Sequence, residues 1–207
     1  MSEKFERELQ FTHEKLELPK RRTSIERFVE KKENKIDENF IKDDFLYLIR
    51  CDQPGLREKG LTSKAWQEEK LSLDKYLRDS KKWKKNSVLK DRFNELLETQ
   101  GQVGGTPFVS ATTQVSIALG FKEHLKSFYI FKVPVEEVVY NYRTPARGVL
   151  PEIEYLVPDF VRPEEILEEL SATDDPDKLR DAYYKYVPQK PPGISQEEWI
   201  KYKEKYK

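Results

Sequence analysis

Short apolar runs rich in β-branched and aromatic residues crowd the stretch 106–162 of this chain. They are PFVSATT (107–113), SFYIFKV (127–133), EVVYN (137–141), EIEYLVP (152–158) and DFVR (159–162), with FLYLIRC (45–51) upstream. Each has the length of a strand and is bounded by turn residues. Between the first two, QVSIALGF (114–121) reads as a short helix, and Pro163 opens a further element, EEILEEL. Strands in the middle with helical segments before and after them make an α+β pattern, since alternating βαβ units would interleave the two. No internal repeat is visible.

The flanks are heavily charged. Residues 1–44 scatter Phe5, Leu9, Phe11, Leu16, Ile25, Phe28, Val29, Ile36 and Phe40 among charges, which predicts one or two weakly amphipathic helices broken near Pro19. Trp66, Leu73, Tyr76 and Leu77, then Leu89, Phe93, Leu96 and Leu97, recur at helical spacing and predict two amphipathic helices joined by the basic SKKWKKNS (80–87). GQVGGT (101–106) is a flexible loop that lacks the Gly-Lys-Ser/Thr of a phosphate-binding loop. In the tail, Pro176 sits where a helix starts, and Ser195 with Glu198 forms a capping box. The division expected is a helical N-terminal extension (1–44), a central domain (45–170) and a helical C-terminal extension (171–207).

Among the 207 residues, Lys+Arg and Asp+Glu number 38 each, so no net charge draws the chain to nucleic acid or an acidic membrane. The single cysteine, Cys51, rules out an internal disulfide, and two histidines, His13 and His124, lack the companions of a metal centre or triad. No metal is expected. No apolar run approaches the roughly 20 residues of a membrane span, and the charged start MSEKFERELQ lacks the apolar core of a secretory signal. The expected location is the cytoplasm, or a target cell reached without a cleaved signal.

GVLPEIEYLVPDFV (148–161) poses the chemical question. Glu152 and Glu154 are two apart where a strand begins, so both side chains share one face. Like charges held that close cost energy unless solvent, a cation or a ligand compensates them. A solvated strand end is the plain explanation. Two other segments sharpen it: an arginine ends the first strand in LIRCDQPGLREKGL (48–61), and Ser-x-Thr ends a later one in TPFVSATTQVSIALGF (106–121).

In that order the three segments resemble the cholera-toxin-like branch of the mono-ADP-ribosyltransferases, whose pattern is Arg, then Ser-Thr-Ser, then Glu-x-Glu. Arg50, Asp52 and Gly60-Leu61 match the arginine strand, Phe108 to Thr113 the second segment, and EIEYLVPDFVRPEEI the third. The resemblance covers about residues 45–167. Ala111 stands where the family has its middle threonine, and Pro158-Asp159 replaces a glycine-rich turn.

The resemblance implies a split sandwich of two small mixed sheets with NAD, as substrate, in the cleft. It implies cleavage of the nicotinamide–ribose bond and transfer of ADP-ribose to an acceptor. Glu154 would stabilise the oxocarbenium-like ribose, and Ser110 would orient that carboxylate. Arg50 would pair with the diphosphate of NAD. The backbone of Cys51 would hold the nicotinamide amide, with Asp52 and Thr112 in support. Glu152 would take the proton from an arginine acceptor, whose guanidinium is always charged in water. The loop 142–151, with Tyr142, Arg143 and Arg147, would meet the target.

The expected role is a toxin or effector acting on a protein arginine. A nucleobase of RNA or DNA is the alternative acceptor, with 80–87 and the Tyr- and Lys-rich tail as contacts. An inactive scaffold of the same fold, binding a partner through its terminal helices, is a third reading. The same helices are candidates to dock an antidote or chaperone.

Overall fold

The computed structural model describes residues 18–29, 34, 36–79, 81–83, 87–99, 105–121, 126–141, 154–172, 175–190 and 194–205. Its strands are β1 (Ile41–Lys42), β2 (Phe45–Asp52), β3 (Leu61–Thr62), β4 (Phe108–Ala111), β5 (Ser127–Pro134), β6 (Val139–Asn141), β7 (Glu154–Pro158), β8 (Phe160–Val161) and β9 (Ile166–Ser171). They form a four-stranded sheet in the order β1-β2-β5-β9, a three-stranded sheet β4-β7-β6, and the pair β3-β8. With the helices, this is an α+β fold of several small sheets.

The center of the first sheet is the long β2–β5 pairing, in register from Phe45↔Pro134 to Asp52↔Ser127. Both strands are buried along most of their length, which is why they read as near-continuous apolar runs. Every pairing among the described strands is antiparallel, rather than mixed as expected. Parallel pairing needs a crossover, usually helical. No described α-helix lies between β5 and β9 or between β6 and β7.

Among the described residues a single antiparallel bridge, Ile49↔Thr112, joins the first sheet to the second. The second sheet separates two apolar clusters, and the period of two along its strands sorts their side chains. Val109, Ala111, Tyr155 and Val157 enter the larger cluster, shared with β2 and β5. Phe108, Val139 and Leu156 enter the smaller one, filled by Ala65, Leu73, Tyr76, Leu77, Phe93, Leu96 and Leu97.

Those last residues come from three helices where two were expected: α1 (Lys64–Glu69), α2 (Leu73–Arg78) and α3 (Leu89–Thr99). The first expected helix is broken at Lys70, which turns left-handed at φ 54°. Ser63 and Ser72 each cap the helix that follows, accepting from the N–H of Trp66 and of Lys75. After β4, Val115–Gly120 is the short helix α4.

Residues 18–29, within the segment expected to be weakly helical, are not helical; residues 1–17 lie outside the described residues. Among the described residues of 1–44 the only helix is a 3-10 turn, Glu38–Phe40, and 18–29 run as an irregular strap. Arg22 on that strap has no side-chain exposure and lies between Glu137 and Glu165. Its Nη1 donates to Glu165 Oε2 at 2.5 Å and to Phe160 O at 3.2 Å. A guanidinium can be buried only with such partners, and that requirement outweighs the weak helical pattern around it. Ile25 and Phe28 follow it into the smaller cluster, where Phe28 stacks on Phe93 with ring centroids 4.9 Å apart.

EEILEEL is a strand for most of its length. Pro163 opens only a 3-10 turn, and Ile166–Ser171 becomes the edge strand β9 against β5. Pairing with a buried strand overrides the helical preference of Glu and Leu. The C-terminal helices are α5 (Pro176–Tyr184), which starts at Pro176 as expected and is capped by Asp175 accepting from Asp177 N–H, and α6 (Gln196–Lys205), where Ser195 and Glu198 cap one another reciprocally as expected. Leu179, Ala182, Tyr183, Tyr184, Val187 and Trp199 belong to the same core as β2 and β5. The buried Tyr183 hydroxyl donates to Tyr47 O at 2.8 Å.

Candidate functional site

Glu154 opens β7 and shares a sheet face with Leu156, the residue directly across from Ser110 on β4 and from Val139 on β6. The alternation that sends Leu156 into the smaller cluster therefore brings Glu154, Ser110 and Asn141 to one end of that face. Ser110 Oγ donates to Glu154 Oε1 at 2.5 Å. Asn141 Nδ2 donates to Glu154 Oε2 at 2.8 Å. Both oxygens of the carboxylate are thus held by donors from the two neighboring strands.

Arg50 reaches this group from the first sheet. Its Nη1 donates to Ser110 O at 2.7 Å and its Nε to Asp52 Oδ2 at 2.7 Å. About a quarter of its side chain, 25 %, is exposed. Asp52 Oδ1 accepts from Gln53 N–H, so this carboxylate shapes the strand end as well as pairing with the arginine.

The strand carrying Arg50 sets the peptide of Cys51. Ile49 N–H and C=O both bond to Thr112, so they face the second sheet. Two residues on, the N–H and C=O of Cys51 point to that same edge, beyond the single bridge where the sheets part. The Cys51 side chain is buried, and burial pushes its thiol up to about 11, which keeps it protonated and unreactive. Thr112 is buried, and its Oγ1 accepts from Gln114 N–H at 3.1 Å, forming the turn into α4. Ala111 lies on the opposite face from Ser110, packed in the larger cluster, where a hydroxyl has no role.

The loop after Asp52 is pinned to the first sheet. Tyr129 Oη lies 2.6 Å from Gln53 O and 2.8 Å from Glu169 Oε1, and it accepts from Leu56 N–H at 3.1 Å. Glu169 Oε1 also accepts from Gly55 N–H at 2.7 Å. At the far end of this loop Gly60 has φ +83°, and a Cβ there would lie 2.5 Å from Val161 O. The Gly60-Leu61 match therefore has a steric cause: only glycine lets β3 approach β8.

Arg50, Ser110 and Glu154 come together, with Cys51, Asp52 and Thr112 around the strand ends. Glu152 and the loop 142–151 lie outside the described residues. Sequence reading missed Asn141. Its signal was the polar last residue of EVVYN, which an antiparallel hairpin sets opposite the polar first residue of the next strand. Among the described residues no helix is long and apolar enough to cross a membrane, and no group of His, Cys, Asp and Glu is arranged to hold a metal ion.

No family model matches the chain, and no curated protein matches it. The functional reading therefore rests on the motifs and their geometry.

Proposed function

We infer that the chain is an NAD-dependent mono-ADP-ribosyltransferase whose cleft lies where the two larger sheets part. The observation that carries this reading is the junction of three motif residues far apart in sequence. Ser110 Oγ holds Glu154 at 2.5 Å across 44 residues, and Arg50 holds the Ser110 carbonyl at 2.7 Å across 60. A plain surface arginine or a solvated edge glutamate has no need of that junction.

In the reaction, the bond from the ribose C1′ to the nicotinamide nitrogen breaks, and nicotinamide leaves with the electron pair. Glu154, oriented by Ser110, stabilises the positive charge developing on the ribose and accepts from a ribose hydroxyl. Arg50 engages the diphosphate, with Asp52 fixing its orientation. The Cys51 peptide engages the nicotinamide amide. An acceptor nitrogen then bonds to C1′ and loses a proton to Glu152. A carboxylate in that role suits a protein arginine, and an effector or toxin is the setting such chemistry fits.

The test is NAD consumption by the purified chain with labelled NAD and a cell lysate. Glu154→Gln is expected to lower turnover by about 10²- to 10³-fold, the usual effect of removing one charge-stabilising group, with an unchanged unfolding midpoint. Label released by protease supports a protein acceptor, and label released by nuclease replaces the arginine with a nucleobase. Wild-type protein that neither consumes nor binds NAD would sink the reading.

A further inference from the structure

The geometry points to Asn141 as a positioning residue for Glu154, held in place by a side chain that closes the outer edge of β6. The kinetic part rests on the activity proposed above; the hydrogen-bond part does not. Asn141 is 1 % exposed, and it lies directly across the β6–β7 pair from Glu154. Its Nδ2 supplies the donor to Oε2, the oxygen that Ser110 does not hold. With one donor a carboxylate can still pivot about its last side-chain torsion, which is broad and soft. Donors on both oxygens, from strands on either side, restrict that pivot.

The position of Asn141 depends on β6, a three-residue strand at the outside of its sheet. Its outer edge is closed by Asn34. The side-chain amide of Asn34 donates to Val138 O at 2.7 Å and accepts from Tyr140 N–H at 2.8 Å, reproducing the donor–acceptor pair of a neighboring strand. Just before β6, Glu137 is clamped by the buried Arg22. The N-terminal segment thus holds β6 at two points, and β6 presents Asn141 to the carboxylate. Asn141 is not assigned contact with the reacting atoms. It acts through Glu154.

Steady-state NAD hydrolysis, with water as acceptor, is measured for wild type, Asn141→Ala and Asn141→Asp. The expected result is a fall in kcat of about 10- to 100-fold for Asn141→Ala, the usual weight of a hydrogen bond to a charged group. KM for NAD should stay within about threefold, because the diphosphate contacts lie elsewhere. Asn141→Asp keeps the shape but sets a second carboxylate against Glu154, so it should be impaired at least as much. Asn141→Ala with kcat within about twofold of wild type overturns the assignment.

A second measurement stands whether or not the Asn141 variants fold or NAD is consumed. The side-chain amide protons of Asn141 are observed by NMR in the wild-type protein and in Glu154→Ala. The bonded proton should move upfield and exchange faster with solvent once its acceptor is gone. If it is unmoved, the pairing with Glu154 is refuted. If it moves while wild type consumes no NAD, the reaction reading fails and the positioning contact survives.

Discussion

Asp159 should be costly to replace, although it occupies a turn. It lies between β7 and β8 at φ 64°, and it is 1 % exposed. Its Oδ1 accepts from Leu73 N–H at 2.5 Å, at the start of α2, and its Oδ2 accepts from Thr23 N–H and Thr23 Oγ1, both at 2.8 Å. Its own backbone bonds to Ser63 N–H and Pro107 O. One residue thereby ties the N-terminal strap, two helix starts and the lead into β4. Asp159→Ala leaves the amides of Thr23 and Leu73 without this acceptor, at about 1–3 kcal/mol each. It also puts a Cβ without a local polar partner in the left-handed region, at about 1 kcal/mol relative to glycine. Removing a buried carboxylate recovers part of this, so the net loss expected is about 2–4 kcal/mol. Asp159→Gly should be about 1 kcal/mol less damaging than Asp159→Ala, and Asp159→Asn, which keeps one acceptor oxygen, less damaging still. Urea denaturation with midpoints and slopes for the three variants measures the order. Burial pushes the Asp159 carboxyl up, against the opposing hydrogen bonds from Leu73 and Thr23. The folded state therefore holds this proton more tightly than the unfolded state does. The stability linked to it is fully present below the unfolded value of about 3.9 and is lost as pH rises through the folded one. The advantage of Asp over Asn should then be greatest in acid. An Asp159→Ala protein within about 0.5 kcal/mol of wild type, a typical surface effect, would refute the reasoning.

Two further outcomes follow from the loop that carries the arginine motif. Gly60→Ala should lose about 2–4 kcal/mol in chemical denaturation, because its Cβ would meet Val161 O at 2.5 Å as well as the left-handed backbone. Gly55→Ala, with φ +79° and nothing within 4 Å of its Cβ, should lose only about 1 kcal/mol; equal losses would show that the close approach of β3 to β8 is not what requires glycine. Glu169 has the opposite linkage to Asp159: burial raises its carboxyl, but the donors Gly55 and Tyr129 outweigh this and hold it low. Its stabilisation should be present above the unfolded value of about 4.3 and fade as pH falls through the folded one. The gap between wild type and Glu169→Gln in thermal midpoint should accordingly narrow in acid, and a constant gap would exclude the linkage.

The sequence alone determined the α+β class, the places of β2, β4, β5 and β7, and the helix starts at Pro176 and Ser195. Each of these is a short-range property: an apolar run of strand length, a turn residue, a cap three residues before its partner. It also singled out Arg50, Ser110 and Glu154, because their three short segments follow the order of a family pattern that they resemble. What it could not reach were residues whose roles depend on partners far along the chain. Arg22 meets Glu137 and Glu165 across 115 and 143 residues, and Asp159 meets Thr23 across 136. Asp159 therefore looked like a matter of loop shape, and the strap around Arg22 like a weak helix. Asn141 was a polar strand end until the β6–β7 register set it opposite Glu154. EEILEEL, helical by composition, became β9 because β5 had an open edge to pair. Local pattern specifies elements because backbone geometry repeats every two or 3.6 residues. Which buried polar groups meet is decided only when those elements pack, since each must find a partner within about 3 Å in whatever segment lies beside it.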